Sequence, residues 1–317
     1  MGERGCRAPR VLRATAPTLD RARRGGSTVS VDVSVVIPCF NATRDLPAQL
    51  EALAGQSTVC TFEVVVSDNG STDGLAEFVE EWSRRVPFML RRVDASARRG
   101  VAHARNAGCR AALADVILVC DADDVVGVGW VDAMARALEQ ADLVGGTLVH
   151  GHLNTALVQQ WRPTSPPGVL PTKLSHLPYA VGANVGLRRE VFDALGGWDE
   201  GFVAGGDDVE FSWRAQHAGF CLRSAPDAVI AYRMRTTLSA NVKQSYFYAR
   251  SDALLMRTFR SAGVPRRGLR PLITESKWLV RNVPRTREPG FRGQWLRRAA
   301  MLAGRFVGSV QHRTWAV

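Results

Sequence analysis

Val116-Ile-Leu-Val-Cys-Asp-Ala-Asp-Asp124 is the stretch whose reading decides the fold: five apolar residues, then three carboxylates in four positions. The apolar run is far shorter than the ~20 residues of a membrane span and suits a strand buried on both faces. A buried strand that ends abruptly in acids places them at the carboxyl edge of a sheet. That edge is where open α/β sheets bind ligands. Asp121 and Asp123 are two apart, so in extended backbone they point the same way. Converging carboxylates repel unless a cation lies between them. Oxygen-only ligation suits Mg2+ or Mn2+ shared with substrate phosphates. Taken alone, the same residues read better as a solvated acidic turn; their surroundings shift that balance.

Outward from this stretch, strands and helices alternate. Val31–Ile37 reads as a strand stopped by Pro38, and Leu46, Leu50 and Leu53 give a helix over Asp45–Gln56. Phe62–Val66 is a strand that runs into the turn-rich Ser67–Gly74, followed by a helix over Leu75–Trp82. Met89–Val93 is a strand and Gly100–Ala114 a helix. Beyond the acids we expect a helix over Trp130–Gln140 and a strand over Asp142–Val149. The next stretch, 153–178, holds five prolines and reads as a long loop over the site. A strand over Ala183–Leu187 and a helix over Arg189–Leu195 come next, then Gly205-Gly206-Asp207-Asp208 with a helix through Ala218, and strands over Phe220–Ser224 and Ala228–Arg233. Such alternation implies right-handed βαβ units and a Rossmann-like, mostly parallel sheet flanked by helices. From Asn241 the pattern is helical. The segment Gln294–Val310 combines an apolar face with Arg297, Arg298 and Arg305. It reads either as a helix on an anionic membrane surface or as one docked on its own domain.

The 317 residues, 46% of them hydrophobic, suffice for a large core. The six cysteines form no C-x-x-C pair, which reads as a reduced, intracellular chain. The basic N-terminus lacks the apolar core of a secretory signal. The net charge of +11 is uneven: residues 260–317 alone hold 13 basic and 2 acidic residues. Positive charge thus lies at the ends while the centre is acidic, and no nucleic-acid motif is present; nucleic acid is not expected as a partner. His150 and His152 form an H-x-H pair without a third ligand, and surface histidines are the better reading.

Val33-Ser-Val-Val-Ile-Pro-Cys-Phe-Asn41, Val64–Gly74, Arg99–Gly108, Asp121-Ala-Asp-Asp124, Gly197-Trp-Asp-Glu200 and Gly206-Asp-Asp-Val-Glu-Phe-Ser-Trp-Arg214 follow one another in order. Together, over roughly Val33 to Arg235, they resemble a family-2 glycosyltransferase with the A-type glycosyltransferase fold. The resemblance implies a nucleoside-diphosphate sugar as donor and a hydroxyl acceptor on a glycan or lipid-linked glycan. Pro38, Phe40 and Asn41 would cradle base and ribose, Asp68 would accept from the base, and Arg99 would lie near base or phosphate. Asp121 would lie near the ribose, with Asp123 and Asp121 ligating Mn2+ or Mg2+ at the diphosphate. Asp208 is the implied base for the acceptor hydroxyl, with Asp207 as its neighbour. Trp198 and Asp199 are implied on the acceptor side; the alternative for Trp198 is a core tryptophan, and for Asp68 a turn-capping acid. Arg105 and Asn106 read as residues that cap and pack their helix. Tyr232 or Arg233 stands where many members carry a metal-binding histidine, and Arg233 or Arg235 is a candidate to supply positive charge there instead.

We therefore expect an inverting glycosyltransferase, cytoplasmic and peripheral to the inner face of the plasma membrane. We divide the chain into a disordered basic tail (1–28), a catalytic domain (29–235) and a basic helical C-terminal extension (236–317). Two competing readings are a catalytically degenerate nucleotide-sugar-binding protein on the same fold and a sugar-phosphate nucleotidyltransferase. The latter wants a glycine-rich loop after the first strand, and Pro38–Arg44 has no glycine.

Overall fold

The computed structural model describes residues 31–162, 165–203 and 205–317, so the 1–28 tail lies outside the described residues. Six strands and five helices build the first half of the described chain: β1 (Val33–Cys39), α1 (Leu46–Ala54), β2 (Phe62–Asp68), α2 (Leu75–Ser83), β3 (Met89–Asp94), α3 (Val101–Ala111), β4 (Val116–Cys120), β5 (Val125–Val126), α4 (Trp130–Leu138) and, after β6 (Leu143–Val149), the short α5 (Ala156–Trp161). β7 (Asn184–Arg188), α6 (Arg189–Leu195), α7 (Asp207–His217) and β8 (Leu222–Ala231) follow, and then α8 (Leu238–Thr258), α9 (Arg270–Arg281) and α10 (Pro289–His312). One eight-stranded sheet runs β3-β2-β1-β4-β7-β6-β8-β5.

β1, β2, β3 and β4 pair in parallel. β7 runs antiparallel between β4 and β6, and β8 is parallel to β6. β1, β2 and β4 are mostly apolar and almost wholly buried because helices cover both faces; the buried Glu63 of β2 is held by Ser34 of β1 and by Arg91. α1 and α4 cover one face with Leu46, Leu50, Leu53, Trp130 and Met134, all buried. α3, α6 and α7 cover the other with Ala102, Cys109, Val191, Phe192 and Phe211.

Three local expectations change. The proline-rich 153–178 stretch contains α5, capped by Thr155 through its side chain, which accepts from Val158 N. The two strands expected at 220–233 are one, β8, whose register slips opposite Gly146/Thr147. Pro226 lies in the slipped part and has no N–H for the ladder. Cys39, Cys60, Cys109 and Cys120 are free thiols, but Cys221 is disulfide-bonded, against the all-thiol reading.

α10 is docked. At Gly304 and Gly308 an added Cβ would overlap the carbonyl oxygens of Tyr246 and Arg250 on α8, and at Gly293 the ring of Trp161 on α5. The arginines that suggested a lipid surface turn inward: Arg305 Nε donates to Asp252 Oδ2 at 2.8 Å, and Arg298 lies 3.0 Å from Glu275. Arg297 is half-buried beside Met301. Among the described residues no helix is long and apolar enough to cross a membrane.

Candidate functional site

The loops after β1, β2 and β3 are stitched together at the carboxyl edge. Asn41, at φ 51°, accepts from Thr72 N (2.8 Å) through Oδ1 while its own N–H donates to Ser71 Oγ (3.0 Å). Asn69 donates to the carbonyls of Ala95 and Arg98 and accepts from Gly100 N. The outcome is a rigid rim. On it Phe40 is 51% exposed, and the Arg99 guanidinium stands 4.4 Å above its ring, a flat cationic–aromatic platform. Pro38 closes β1 behind it, half-buried. Asp68 is buried; it accepts from Ser71 N at 2.8 Å and from Arg92 Nη1 at 2.7 Å, the contacts of a turn-capping acid. Two of its roughly four lone-pair positions are thereby used.

After β4 the chain turns instead of staying extended, and so Asp124 joins Asp121 and Asp123. One oxygen from each lies within 4.8 Å of the others, the group among the described residues that could hold a metal ion. The buried side chain of Gln49 holds this turn: its amide donates to Asp121 O (3.2 Å) and its oxygen accepts from Val126 N (2.9 Å). Asp124 is fully buried and its Oδ2 has no hydrogen-bond partner. Burial first, and the charge of Asp121 second, push both Asp123 and Asp124 above the usual carboxylate range. An orphaned buried oxygen within a cluster of hard carboxylates fits a divalent cation such as Mg2+ or Mn2+. Cations of the chain already approach it. Arg233 donates from its backbone N to Asp124 Oδ1 (2.7 Å) and from Nε to Asp123 O (2.8 Å), and Arg235 Nη1 lies 3.6 Å from Asp123 Oδ2. Tyr232 lines the cleft nearby, with His150 ring-to-ring at 6.3 Å from it.

A cleft of about 710 Å3 opens beside these acids. Asp121, Asp207 and Asp208 line one side, and Lys243, Phe247, Tyr248 and Arg250 of α8 line another. Arg105 joins the two acidic groups. Its buried guanidinium donates to Asp207 Oδ2 at 2.6 Å and to Asp121 Oδ1 at 3.2 Å. Gly182 makes room, since a Cβ there would sit 2.7 Å from that guanidinium. Asp207 is 4% exposed. Burial raises its pKa and Arg105 pulls the other way, with Asp208 adding to the rise. Asp208 is half-exposed toward the cleft; its Oδ2 accepts from Gly182 N (3.2 Å) and its Oδ1 from Val209 N (2.8 Å).

Two residues expected on the acceptor side lie elsewhere. Trp198 is 3% exposed and stacks on Phe211 at 4.3 Å, which makes it the core tryptophan of the alternative. Asp199 is exposed outside the cleft lining, closing a turn onto Gly201 N. The turn is fastened to α3 by Asn106, which accepts from Trp198 N and donates to Trp198 O. Glu210 pairs with Arg214, and the fully buried Trp213 donates to Leu177 O, as packing residues would. Missed from sequence were Arg105 as a bridge, Gln49 as the turn's support and α8 as a wall.

Comparison with known proteins bears on the same region. A family model described as "Glycosyl transferase family 2" matches residues 34–196, and one described as "Glycosyl transferase family group 2" matches 167–303. The chain is 26% identical over 200 residues to "Glycosyltransferase AglE" of Haloferax volcanii, aligning 62% of this chain with 65% of that one. It is 31% identical over 229 residues to "Validoxylamine A glucosyltransferase" of Streptomyces hygroscopicus subsp. jinggangensis, 61% of this chain and 54% of the other. With "Chondroitin synthase" of Pasteurella multocida the match covers 25% of the relative, so the chain spans less than two thirds of these relatives. Among solved structures, "Mannosyltransferase PcManGT from Pyrobaculum calidifontis in complex with GDP-Man and Mn2+" superposes with a TM-score of 0.59 at 20% identity, over 90% of this chain and 88% of that one. The shared fold is that of A-type glycosyltransferases.

Proposed function

Because this chain belongs to glycosyl transferase family 2, we propose that it transfers a sugar from a nucleoside-diphosphate sugar to a hydroxyl on a glycan or lipid-linked glycan, with inversion at the anomeric carbon. The observation that carries the reading is that Asp121, one of an acid triad with an orphaned oxygen, and the half-exposed Asp208 line one cleft and are joined through Arg105 and Asp207. Solved proteins of this fold hold GDP-Man with Mn2+ or UDP-GlcNAc.

In this proposal the Phe40–Arg99 platform stacks the base, and Pro38, Asn41 and Asp68 hold the loop against base and ribose. Asp121 and Asp123, with Asp124 behind them, would hold Mn2+ or Mg2+. A bound ion of this kind supplies charge neutralisation at the departing diphosphate. Asp208 takes the proton from the acceptor hydroxyl as that oxygen attacks. Direct displacement needs one such base and no enzyme nucleophile, which is why inversion is the outcome proposed. Arg105 fixes Asp207, which keeps the start of α7, and with it Asp208, at a set distance from the metal side.

Thermal shift with UDP, GDP, TDP and CMP, each with and without Mn2+, tests this. A ligand at 100 times its dissociation constant adds about 2.7 kcal/mol to native-state stability. We expect one nucleoside diphosphate to raise the midpoint, and Mn2+ to enlarge that rise. No shift with any nucleotide overturns the reading; a shift indifferent to Mn2+ removes the metal's part in it.

A further inference from the structure

We infer that helix α9 is a membrane-docking element whose outward face lies in the headgroup region of an anionic bilayer. The inner face of α9 is already occupied. Trp278 lies 5.7 Å from Phe291 of α10 and under the guanidinium of Arg298, and Leu279 O accepts from Trp295 Nε1 at 2.9 Å. The opposite face is apolar and open: Leu269 is 60% exposed, Ile273 49%, Val280 73% and Val283 50%. Leu269, the N-cap, with Ile273 and Val280, at i, i+4 and i+11, shares one arc of the helix, and Val283 opens the 3-10 turn that follows it. Exposed residues of that kind scattered singly would mean nothing; three aligned along about 17 Å of helix, with Val283 just beyond its end, form a stripe.

Charge names the occupant. Arg270, Lys277 and Arg281, all exposed, run along the edge of the apolar arc at i, i+7 and i+11. Arg266 and Arg287 extend this rim at either end. The single acid between them, Glu275, is taken by Arg298 at 3.0 Å. A second copy of the chain would bring the same cations against these, which is repulsive. An anionic lipid surface complements them, and a convex aliphatic face with a basic rim is the form of an interfacial helix. The inference does not depend on the transferase reading, because vesicle binding is measured without a donor.

The test is co-sedimentation of the full chain with vesicles of phosphatidylglycerol and phosphatidylcholine, and with phosphatidylcholine alone. Wild type is expected to partition to the mixed vesicles, less as salt is raised. The Ile273→Glu/Val280→Glu double variant should lose at least about tenfold in partition, with its melting midpoint and nucleotide shifts unchanged. Lys277→Glu/Arg281→Glu should also lose partition. Failure of wild type to bind the mixed vesicles, or equal binding by the double variant, overturns the inference. So does equal binding to the uncharged vesicles. A concentration-dependent dimer of wild type, absent in the double variant, assigns the face to a second copy and also overturns it.

Discussion

Arg105 contacts one carboxylate on each side of the cleft: Asp207 at 2.6 Å and Asp121 at 3.2 Å. Only a planar fork of N–H groups serves both acids from one buried position, and a lysine ammonium does not. Arg105→Lys is therefore expected to keep the fold and lower kcat/KM by about 10- to 100-fold, the cost of loosening groups that orient a site. Steady-state kinetics beside a melting curve check this; an unchanged kcat/KM removes the positioning role. Asp208→Asn should keep nucleotide shifts and lower kcat by about 10²- to 10⁴-fold, the usual worth of a positioned base. Full turnover in that variant would move the role elsewhere. At this scale the sequence reveals which acids exist but not their partners. Asp121, Asp123 and Asp208 are visible as acids after a strand or before a helix. Arg105 is one basic residue in a helical run, and nothing local says that its guanidinium reaches Asp207, 102 positions away. Trp198 shows the same limit, since a tryptophan in a glycine-rich turn is equally compatible with a sugar and with Phe211.

Elements were legible where their burial pattern is regular. β1, β2 and β4 are short apolar runs, and α1 repeats leucine at helical spacing, so their positions follow from sequence to within a few residues. β5 has two residues and α5 six, too few for any period to register. α9 was missed for a different reason: much of its apolar side faces out, and so its pattern does not mark a core stripe. α10 was legible as a helix but not in its placement. Its glycines settle that placement, since Gly304 and Gly308 let α10 sit on the backbone of α8. Gly308→Val puts a branched side chain against the Arg250 carbonyl and should cost about 1–3 kcal/mol, the usual range for overpacking, or more because backbone must yield. The melting midpoint should fall by roughly 2–10 °C. Because Arg250 also lines the cleft, nucleotide affinity should weaken with it. A variant with the wild-type midpoint would mean that α10 is not seated at this point.

Across the whole molecule the open question is whether residues 236–317 form an extension or part of the catalytic body. Sequence suggested a boundary at 235 because the strand–helix alternation and the family motifs stop there. Long-range pairing in the structure crosses that boundary. Asp252 of α8 has a side chain 1% exposed and lies between Lys173 Nζ at 2.9 Å, from the loop before β7, and Arg305 Nε at 2.8 Å, from α10. A carboxylate so placed ties three separate parts of the chain with one charge, and burial leaves water little access to replace it. Lys173 and Arg305 are about one fifth exposed, which softens the penalty of losing their partner. Asp252→Asn should therefore destabilise by about 2–4 kcal/mol, below or near the lower range for breaking a fully buried pair. The informative measurement is the shape of denaturant unfolding, followed both by circular dichroism and by nucleotide binding. If α8, α9 and α10 belong to one cooperative body with the sheet, both signals shift together to lower denaturant in a single transition. If the boundary at 235 separates two units, the variant unfolds in two steps, the C-terminal helices first. Nucleotide binding would then fall with that first step, because α8 carries one wall of the cleft.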